Sequence, residues 1–574
     1  MIISSMKKYN KYLVMLLIWL MSGSVYTLAI SREVAYLHTD RTVYIAGEKI
    51  FYKLYLLDAT TQRPSDISKI GYIVLRAANQ NPTIKRRIKI ESGMAWGSIQ
   101  LPDSLTSGAY QIVAFTNSMK NYDEQYFFKN EIVIVNRFDK DMHFKISTAG
   151  NKIVSDSVDN PLKISTYKNI YNTRQKVSVY IDKTNIKANL SVSVFENSNI
   201  QSSCNSIIEA LSKNNKQPNH PTFKKYLEER NEKILKGRVV DTVTGQNINN
   251  ATVLLSCIDT VANLQYAITN SGGTFQMLLS DYYEGKELFF TIREMPVNQH
   301  WKIEVDDEFA LHEKWKPDLK SDISNYRDFL TKAQNIAYVN TTYQTNEDTI
   351  SKQTEIQKPV CPQLYFCQAK SVLLSDYTSL NDFKEIVVEL FPQVRISKRN
   401  GKLRVSVLNN SQKMFSDAEI AIFLDGVYVD DVDKIMKLGS EQIKKIEVLD
   451  TERVFGNLVY KGVISIITKS NEIAKTTPCS FSLRIKNDKI NGFDNYTSEK
   501  NETISNKAFP FFKQLLYWNP NLKIKEQEST GFEFFTSDNE GNFILKIEGI
   551  TDNGKPISYS SKIQVSNQSK STVK

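Results

Sequence analysis

The residues of this chain that could do chemistry are spread thinly, and their types and spacing point away from catalysis. Its five histidines, His38, His143, His220, His300 and His312, fall in different predicted modules, so a shared imidazole site would need improbable module contacts. His38 sits in a run of alternating residues and reads as a sheet residue rather than a base. There is no G-x-S-x-G, H-E-x-x-H, P-loop or dinucleotide fingerprint. The five cysteines (Cys204, Cys257, Cys361, Cys367, Cys479) are odd in number and irregular in spacing, which is no disulfide framework, and none forms C-x-x-C. Cys361 and Cys367 are near enough to close a short loop in an oxidising compartment; the sequence leaves their pairing open, and buried or incidental thiols are the favoured reading. Asp430-Asp431-Val432-Asp433 offers oxygens to calcium but lacks the spacing and glycine of an EF-hand loop, so it reads as a polar loop. No catalytic residue, cofactor or metal is expected. The candidate binding residues are Asp425, Gly426 and Glu447. Gly426 permits positive φ and Asp425 can bond its own turn, so this pair first of all shapes the backbone. Glu447 either pairs with a Lys or Arg of a neighbouring strand or contacts a partner.

These residues need strands to position them. Phe423-Leu424-Asp425-Gly426-Val427 reads as a strand entering an Asp-Gly turn. After a polar link come Ile443-Lys444-Lys445-Ile446-Glu447-Val448-Leu449, with alternating apolar positions, and then Gly462-Val463-Ile464-Ser465-Ile466-Ile467-Thr468-Lys469. Upstream, Leu380 to Leu390 predicts an amphipathic helix ended by Pro392. Val394 to Ile396 and Leu403 to Leu408 predict a hairpin around Asn400-Gly401, a type I′ signal. This pattern resembles the plug domain of TonB-dependent outer-membrane receptors, which carry a similar Asp-Gly turn, then Ile-x-x-Ile-Glu-Val, then Gly-Val-Ile-x-Ile-x-Thr. By that resemblance Glu447 would touch a barrel wall. The receptors enclose their plug in a barrel of about 22 strands. Only about a hundred residues follow the pattern here, too few for such a barrel, so a plug-like domain without a pore is expected.

The start of the chain indicates the compartment. Lys7, Lys8 and Lys11 precede an apolar run from Tyr12 to Met21, with small residues at Ser22, Gly23 and Ser24, which together read as a signal peptide over 1–29. The run is shorter than the ~20 apolar residues of a spanning helix. No cysteine precedes Cys204, which excludes a lipid anchor built on one near the cleavage site. The expected protein is exported, periplasmic or outer-membrane associated, with no bilayer-spanning segment after signal removal. The formal charge of +10 is dispersed, and its densest knot, Lys85, Arg86, Arg87 and Lys89, reads as a solvated hairpin tip, so no nucleic-acid partner is expected.

With 574 residues, 41% of them apolar, the chain can build several modest cores. His38-Thr39-Asp40-Arg41-Thr42-Val43-Tyr44, Gly47 and the strand Ile50 to Asp58 resemble the second macroglobulin domain of the alpha-macroglobulins, over 33–137. A second macroglobulin-like β domain is expected over 140–197, then a linker over 198–232. Leu235 to Asp241, Gly245, Ala251-Thr252-Val253 and Ser271-Gly272-Gly273-Thr274-Phe275 resemble the carboxypeptidase regulatory-like domain, which has no peptidase chemistry, over 233–300. A helical connector (301–358) follows, its face set by Leu319, Ile323, Tyr326, Leu330, Ala333 and Ala337. The plug-like domain occupies 359–470, and alternation in Phe532, Phe534, Phe543, Leu545 and Ile547 makes 471–574 a closing β-sandwich. The fold class expected is mainly β: a string of small macroglobulin- or Ig-like sandwiches plus an α+β plug-like domain, with no transmembrane barrel.

This arrangement resembles a family of exported Bacteroidetes multidomain proteins. It implies a non-enzymatic envelope protein acting as a binding or scaffold module, accessory to an outer-membrane TonB-dependent or assembly system, with an envelope protein such as an outer-membrane barrel as partner. The alternative is a macroglobulin-like endopeptidase inhibitor or protease bait; the Gly-Cys-Gly-Glu-Gln thioester of that family is absent.

Overall fold

The computed structural model describes residues 32–78, 82–139, 162–198, 206–213, 225–293, 300–317, 323–343, 350–352, 361, 363–365, 369–399, 402–409, 413–416, 420–471, 483–496 and 510–567. The expected signal peptide, Cys204, Cys367, Cys479, His143, His220, Leu319 and the Asn400-Gly401 turn lie outside them. The architecture is mainly β. Its sheets are small, the largest having five strands, and they gather into β-sandwich units and one α+β unit. Among the described residues no helix is long and apolar enough to cross a membrane.

The first unit packs a sheet ordered Glu33–Thr39, Lys49–Asp58, Met94–Gln100 on a sheet ordered Val43–Ile45, Phe128–Val135, Gly108–Thr116, Ile70–Ala77, Pro82–Lys89. Lys49–Asp58 is buried on both faces, and the two-residue period of a strand says why. Tyr52, Leu54 and Leu56 fill the unit's own core, while Phe51 points the other way, onto Leu515 and Trp518. The Asp40 motif is a structural knot. Asp40 Oδ1 accepts from Tyr44 Oη and Phe51 N–H, each at 2.8 Å, and Arg41 pairs with Glu48 at 2.7 Å.

The second unit corrects the predicted domain list. Residues 140–197 and 471–574 do not form separate sandwiches. Ala188–Glu196 lies between Gly541–Thr551 and Leu515–Ile524 in one five-stranded sheet, and Lys176–Ile181 pairs with Thr530–Phe535 in the facing sheet. One core holds Val177, Leu190 and Val192 with Phe534, Phe543 and Ile547. Each segment alone has an apolar face with nothing to cover it; together they close.

The third unit also reaches beyond its expected bounds. Trp301–Val305, assigned above to the connector, is an edge strand beside Lys233–Asp241. Leu483–Lys486, assigned to the C-terminal domain, adds to Glu287–Ile292 as the last strand of the other sheet. The expected linker over 198–232 is likewise no free linker where it is described. Ile207–Lys213 is a short helix that buries Ile207 and Leu211, one turn apart, in the first unit's core. Glu229 accepts from Tyr72 Oη at 2.8 and 2.9 Å and from Ile234 N–H at 2.9 Å. The helix Ile323–Tyr343 sets Phe329 and Leu330 against Val43, Val133, Val135 and Trp315. Its Lys332 pairs with Glu196 of the second unit, so it works as a strut.

The fourth unit, 369–471, is α+β. Its sheet runs Lys370–Leu373, Ile443–Leu449, Gly462–Thr468, Ile420–Leu424, Val427–Val429. The helix Phe383–Leu390 starts where Asp382 accepts from Glu385 N–H at 2.8 Å, and buries Phe383, Ile386 and Val387. Val394–Arg399 and Lys402–Asn409 pair antiparallel up to Arg399↔Lys402, the register a two-residue loop demands.

Candidate functional site

Asp425 and Gly426 join Ile420–Leu424 to Val427–Val429 with φ of +48° and +80°, the signature of a type I′ turn. Asp425 is fully buried. Its carboxylate accepts from Thr468 N–H at 2.7 Å and Thr468 Oγ1 at 2.8 Å, clamping the end of the parallel neighbour strand. Its carbonyl accepts from Asp259 N–H of the third unit at 2.9 Å. Behind it, Asp259 Oδ2 takes Tyr282 Oη at 2.7 Å and Lys286 Nζ at 2.9 Å. Burial works to raise the Asp259 carboxyl, yet those two donors hold it below its usual range. The pair is therefore a joint between units. Around it Phe289 enters the fourth unit's core, and Leu254 packs with Phe423 and Tyr428.

Glu447 pairs with Lys445 of its own strand at 2.5 Å and accepts from Tyr365 Oη at 2.7 Å. The expected cross-strand ion pair does not form, because its flanking partners are Ser371 and Ser465. Glu447 lines a shallow 470 Å³ recess with Thr260, Gln363, Tyr365 and Lys444, apart from the Asp425 turn's buried clamp. In the Asp430–Asp433 run, Asp431 caps a short 3-10 turn by accepting from Asp433 N–H at 3.1 Å. Among the described residues no group of three or more His, Cys, Asp or Glu is placed to hold a metal ion.

A larger opening lies elsewhere, between the first and third units: a cleft of about 1010 Å³ reached by Lys85, Arg87, Lys120, Tyr226, Lys236 and Glu308, among others. Glu308 is the hub of one wall. It accepts from Arg87 Nε at 2.7 Å and pairs with Lys233 Nζ at 3.1 Å. Burial acts to raise its carboxyl, but Lys233 and Arg87 outweigh it and hold the group ionised. Lys85 pairs with Asp307 at 2.8 Å. The sequence pattern predicts a solvated hairpin tip at Lys85 and Arg87, whereas the structure pairs both with carboxylates. Their acidic partners lie some 220 positions away, beyond any local pattern.

The joint between the first and second units adds a buried polar cluster to the apolar contact of Phe51 with Leu515 and Trp518. His38 Nδ1 lies 2.6 Å from Ser191 Oγ, Tyr55 Oη 2.9 Å from the same oxygen, and Lys53 Nζ donates to Asn189 Oδ1 and Leu190 O. Glu548, fully buried, accepts from Ile207 N–H at 3.0 Å. His38 is cross-strand from Lys53. Burial first, then the Lys546 and Lys53 cations, keep its imidazole well below its ordinary value and neutral. A histidine depressed in the native state stabilises fully above the unfolded value, about 6.5, and loses about 1.4 kcal/mol per pH unit below it until the native group titrates. Glu548 is shifted up by burial and works in the opposite sense. The expected result is that urea midpoints of wild type and His38→Gln run parallel above pH 6.5, with wild type falling relative to the variant towards pH 5. Parallel curves throughout would mean that His38 does not titrate between the two states.

No family model and no curated protein matches the chain. Among solved structures it is similar to Salmonella alpha-2-macroglobulin reacted with methylamine, at 8% identity and TM-score 0.24, over 93% of this chain and 39% of that one. It is similar also to Escherichia coli alpha-2-macroglobulin activated by porcine elastase, at 8% identity and TM-score 0.25, over 93% and 44%. The native E. coli protein seen by cryo-EM gives 8%, 0.24, 94% and 40%. The chain spans less than half the length of these proteins.

Proposed function

We propose that this is a non-enzymatic, exported protein of the cell envelope that binds another envelope component, with the fourth unit as its docking element and the other units as a scaffold. In this reading the fourth unit is plug-like, the third is carboxypeptidase regulatory-like, and the partner is an outer-membrane barrel. The carrying observation is the two-sidedness of the fourth unit. Its Asp425-Gly426 end is locked on the third unit. Other parts expose large apolar side chains: Val388 is 66% and Met414 68% accessible, and Leu373 lies on Lys370–Leu373, which is an edge strand among the described residues. Free strand edges and exposed apolar residues invite partners.

The inhibitor or bait reading has less support, because the described parts of 198–232 are held against neighbouring units through Ile207, Leu211 and Glu229. The test is crosslinking in intact cells, with affinity isolation of wild type and of Val388→Glu/Met414→Glu. Both sites are exposed, so the variant keeps its fold. A barrel protein captured by wild type and reduced about tenfold or more by the variant supports the proposal. Equal capture removes the fourth unit from the account.

A further inference from the structure

The cleft between the first and third units holds a group of cations that its paired walls leave over. Tyr226 is ringed by three lysines: Lys236 Nζ lies 4.5 Å, Lys225 Nζ 5.4 Å and Lys120 Nζ 5.7 Å from the ring centroid. They come from three separate places, the short turn after Gly108–Thr116, the stretch before the third unit, and the strand Lys233–Asp241. The neighbouring carboxylates are committed elsewhere: Glu308 to Arg87 and Lys233, Asp307 to Lys85, Glu229 to Tyr72 and Ile234. Burial lowers the Lys236 affinity for a proton, and Asp306 opposes this only in part, without reaching ion-pair distance. Two of the ammonium groups donate to backbone carbonyls, Lys120 to Glu308 O and Lys236 to Lys225 O. Among the described residues none of the three has a carboxylate within ion-pair range. All four residues line the 1010 Å³ cleft.

Like charges gathered on one ring repel, and an aromatic face offsets that only in part. A multivalent anion placed among them removes the repulsion and gains charge-assisted hydrogen bonds. We propose that the Lys120, Lys225, Lys236 and Tyr226 cage is a binding site for a small multivalent anion, bearing phosphate or carboxylate groups, that enters through the cleft. Arg87 and Lys233 deepen the positive potential but stay with Glu308. Lys120 is pulled down to about 8, by burial first and against Glu308, Glu229 and Asp307. A bound anion favours its charged form, so affinity falls as pH rises from 7 to 9.

The test is calorimetric titration of the whole exported chain with inorganic pyrophosphate and, separately, with citrate, in low-salt buffer. Lys225→Gln changes an exposed position and Lys236→Gln and Lys120→Gln half-buried ones, and all three leave the fold intact. Each substitution is expected to weaken binding about tenfold. The pair Lys398→Gln/Lys525→Gln, which removes twice the charge of any one of these substitutions from exposed sites outside the cleft, is expected to leave it unchanged. Binding of pyrophosphate alone or of citrate alone upholds the site and says which acid it takes. Absence of binding with both probes overturns the proposal. So does equal weakening by the distant pair, which would reduce the effect to the net charge of the chain.

Discussion

Replacing Glu308 with alanine is expected to cost about 3 kcal/mol, at the lower end for breaking a buried ion pair because the cleft admits water. Two cations depend on this carboxylate. Arg87 and Lys233 are 9% and 8% exposed in their side chains, and each would keep only a neutral acceptor: Asp488 O for Arg87 and Asn487 Oδ1 for Lys233. The loss falls on the first and third units together, since Arg87 lies on Pro82–Lys89 and Lys233 opens Lys233–Asp241. A chain of several units need not unfold in one step, so the reading is the first urea transition with amide exchange on those two strands. Glu304→Ala, which removes an exposed partner of Arg238, should leave that transition in place. The sign with pH follows from the depressed native carboxyl of Glu308. Its contribution is complete above the unfolded value of about 4.5 and is lost as pH falls through the lower native one. The gap between wild type and Glu308→Ala should therefore close in acid. A gap that persists unchanged to pH 3 would mean that packing of the side chain, rather than its charge, holds the cleft wall.

What the sequence displayed was whatever local chemistry decides. The Asp425-Gly426 turn, the helix ending before Pro392 and the hairpin register around 400–401 follow from turn and cap preferences acting within a few residues, and the structure has them. Pairing over long separations was not legible. Val192 alternates like any strand residue, and nothing in its neighbourhood says that Ile547 will lie opposite. The same limit hid the contribution of Leu483–Lys486 to the third unit. Ile207 and Leu211 stand one turn apart, but a single short apolar turn in a polar stretch is too weak a signal against a linker reading. Candidate-site residues divide the same way. Asp425 was recognised as a turn former, but its clamp on Thr468 depends on a parallel neighbour forty-three positions on. The lysine cage was invisible, because Lys120 and Lys236 acquire a common site only when two units meet.

The joint made by Gly426 gives the second large effect. A Cβ added there would stand 2.8 Å from Cys257 O and 2.9 Å from both Asp259 N and Asp259 O, all backbone atoms of the third unit, at a φ of +80°. Gly245 supplies the matched control, with φ of +71° and nothing within 4 Å of the same added atom. Gly245→Ala should cost about 1 kcal/mol, the left-handed backbone alone. Gly426→Ala should cost that and a further ~1–3 kcal/mol, because the backbone it strikes cannot rotate away as a side chain would. The excess must appear at the joint. The Asp259 amide, which donates to Asp425 O, should exchange faster, while the Thr468 amide, bonded to the Asp425 carboxylate inside the fourth unit, should change less. Equal costs at the two glycines would mean that the units do not press together at this turn. The outcome bears directly on function: a loosened joint frees the Asp425-Gly426 end but leaves Val388 and Met414 as exposed as before. A docking role carried by those residues should survive Gly426→Ala with its affinity nearly intact, whereas a role that needs the two units held as one body should fail with it.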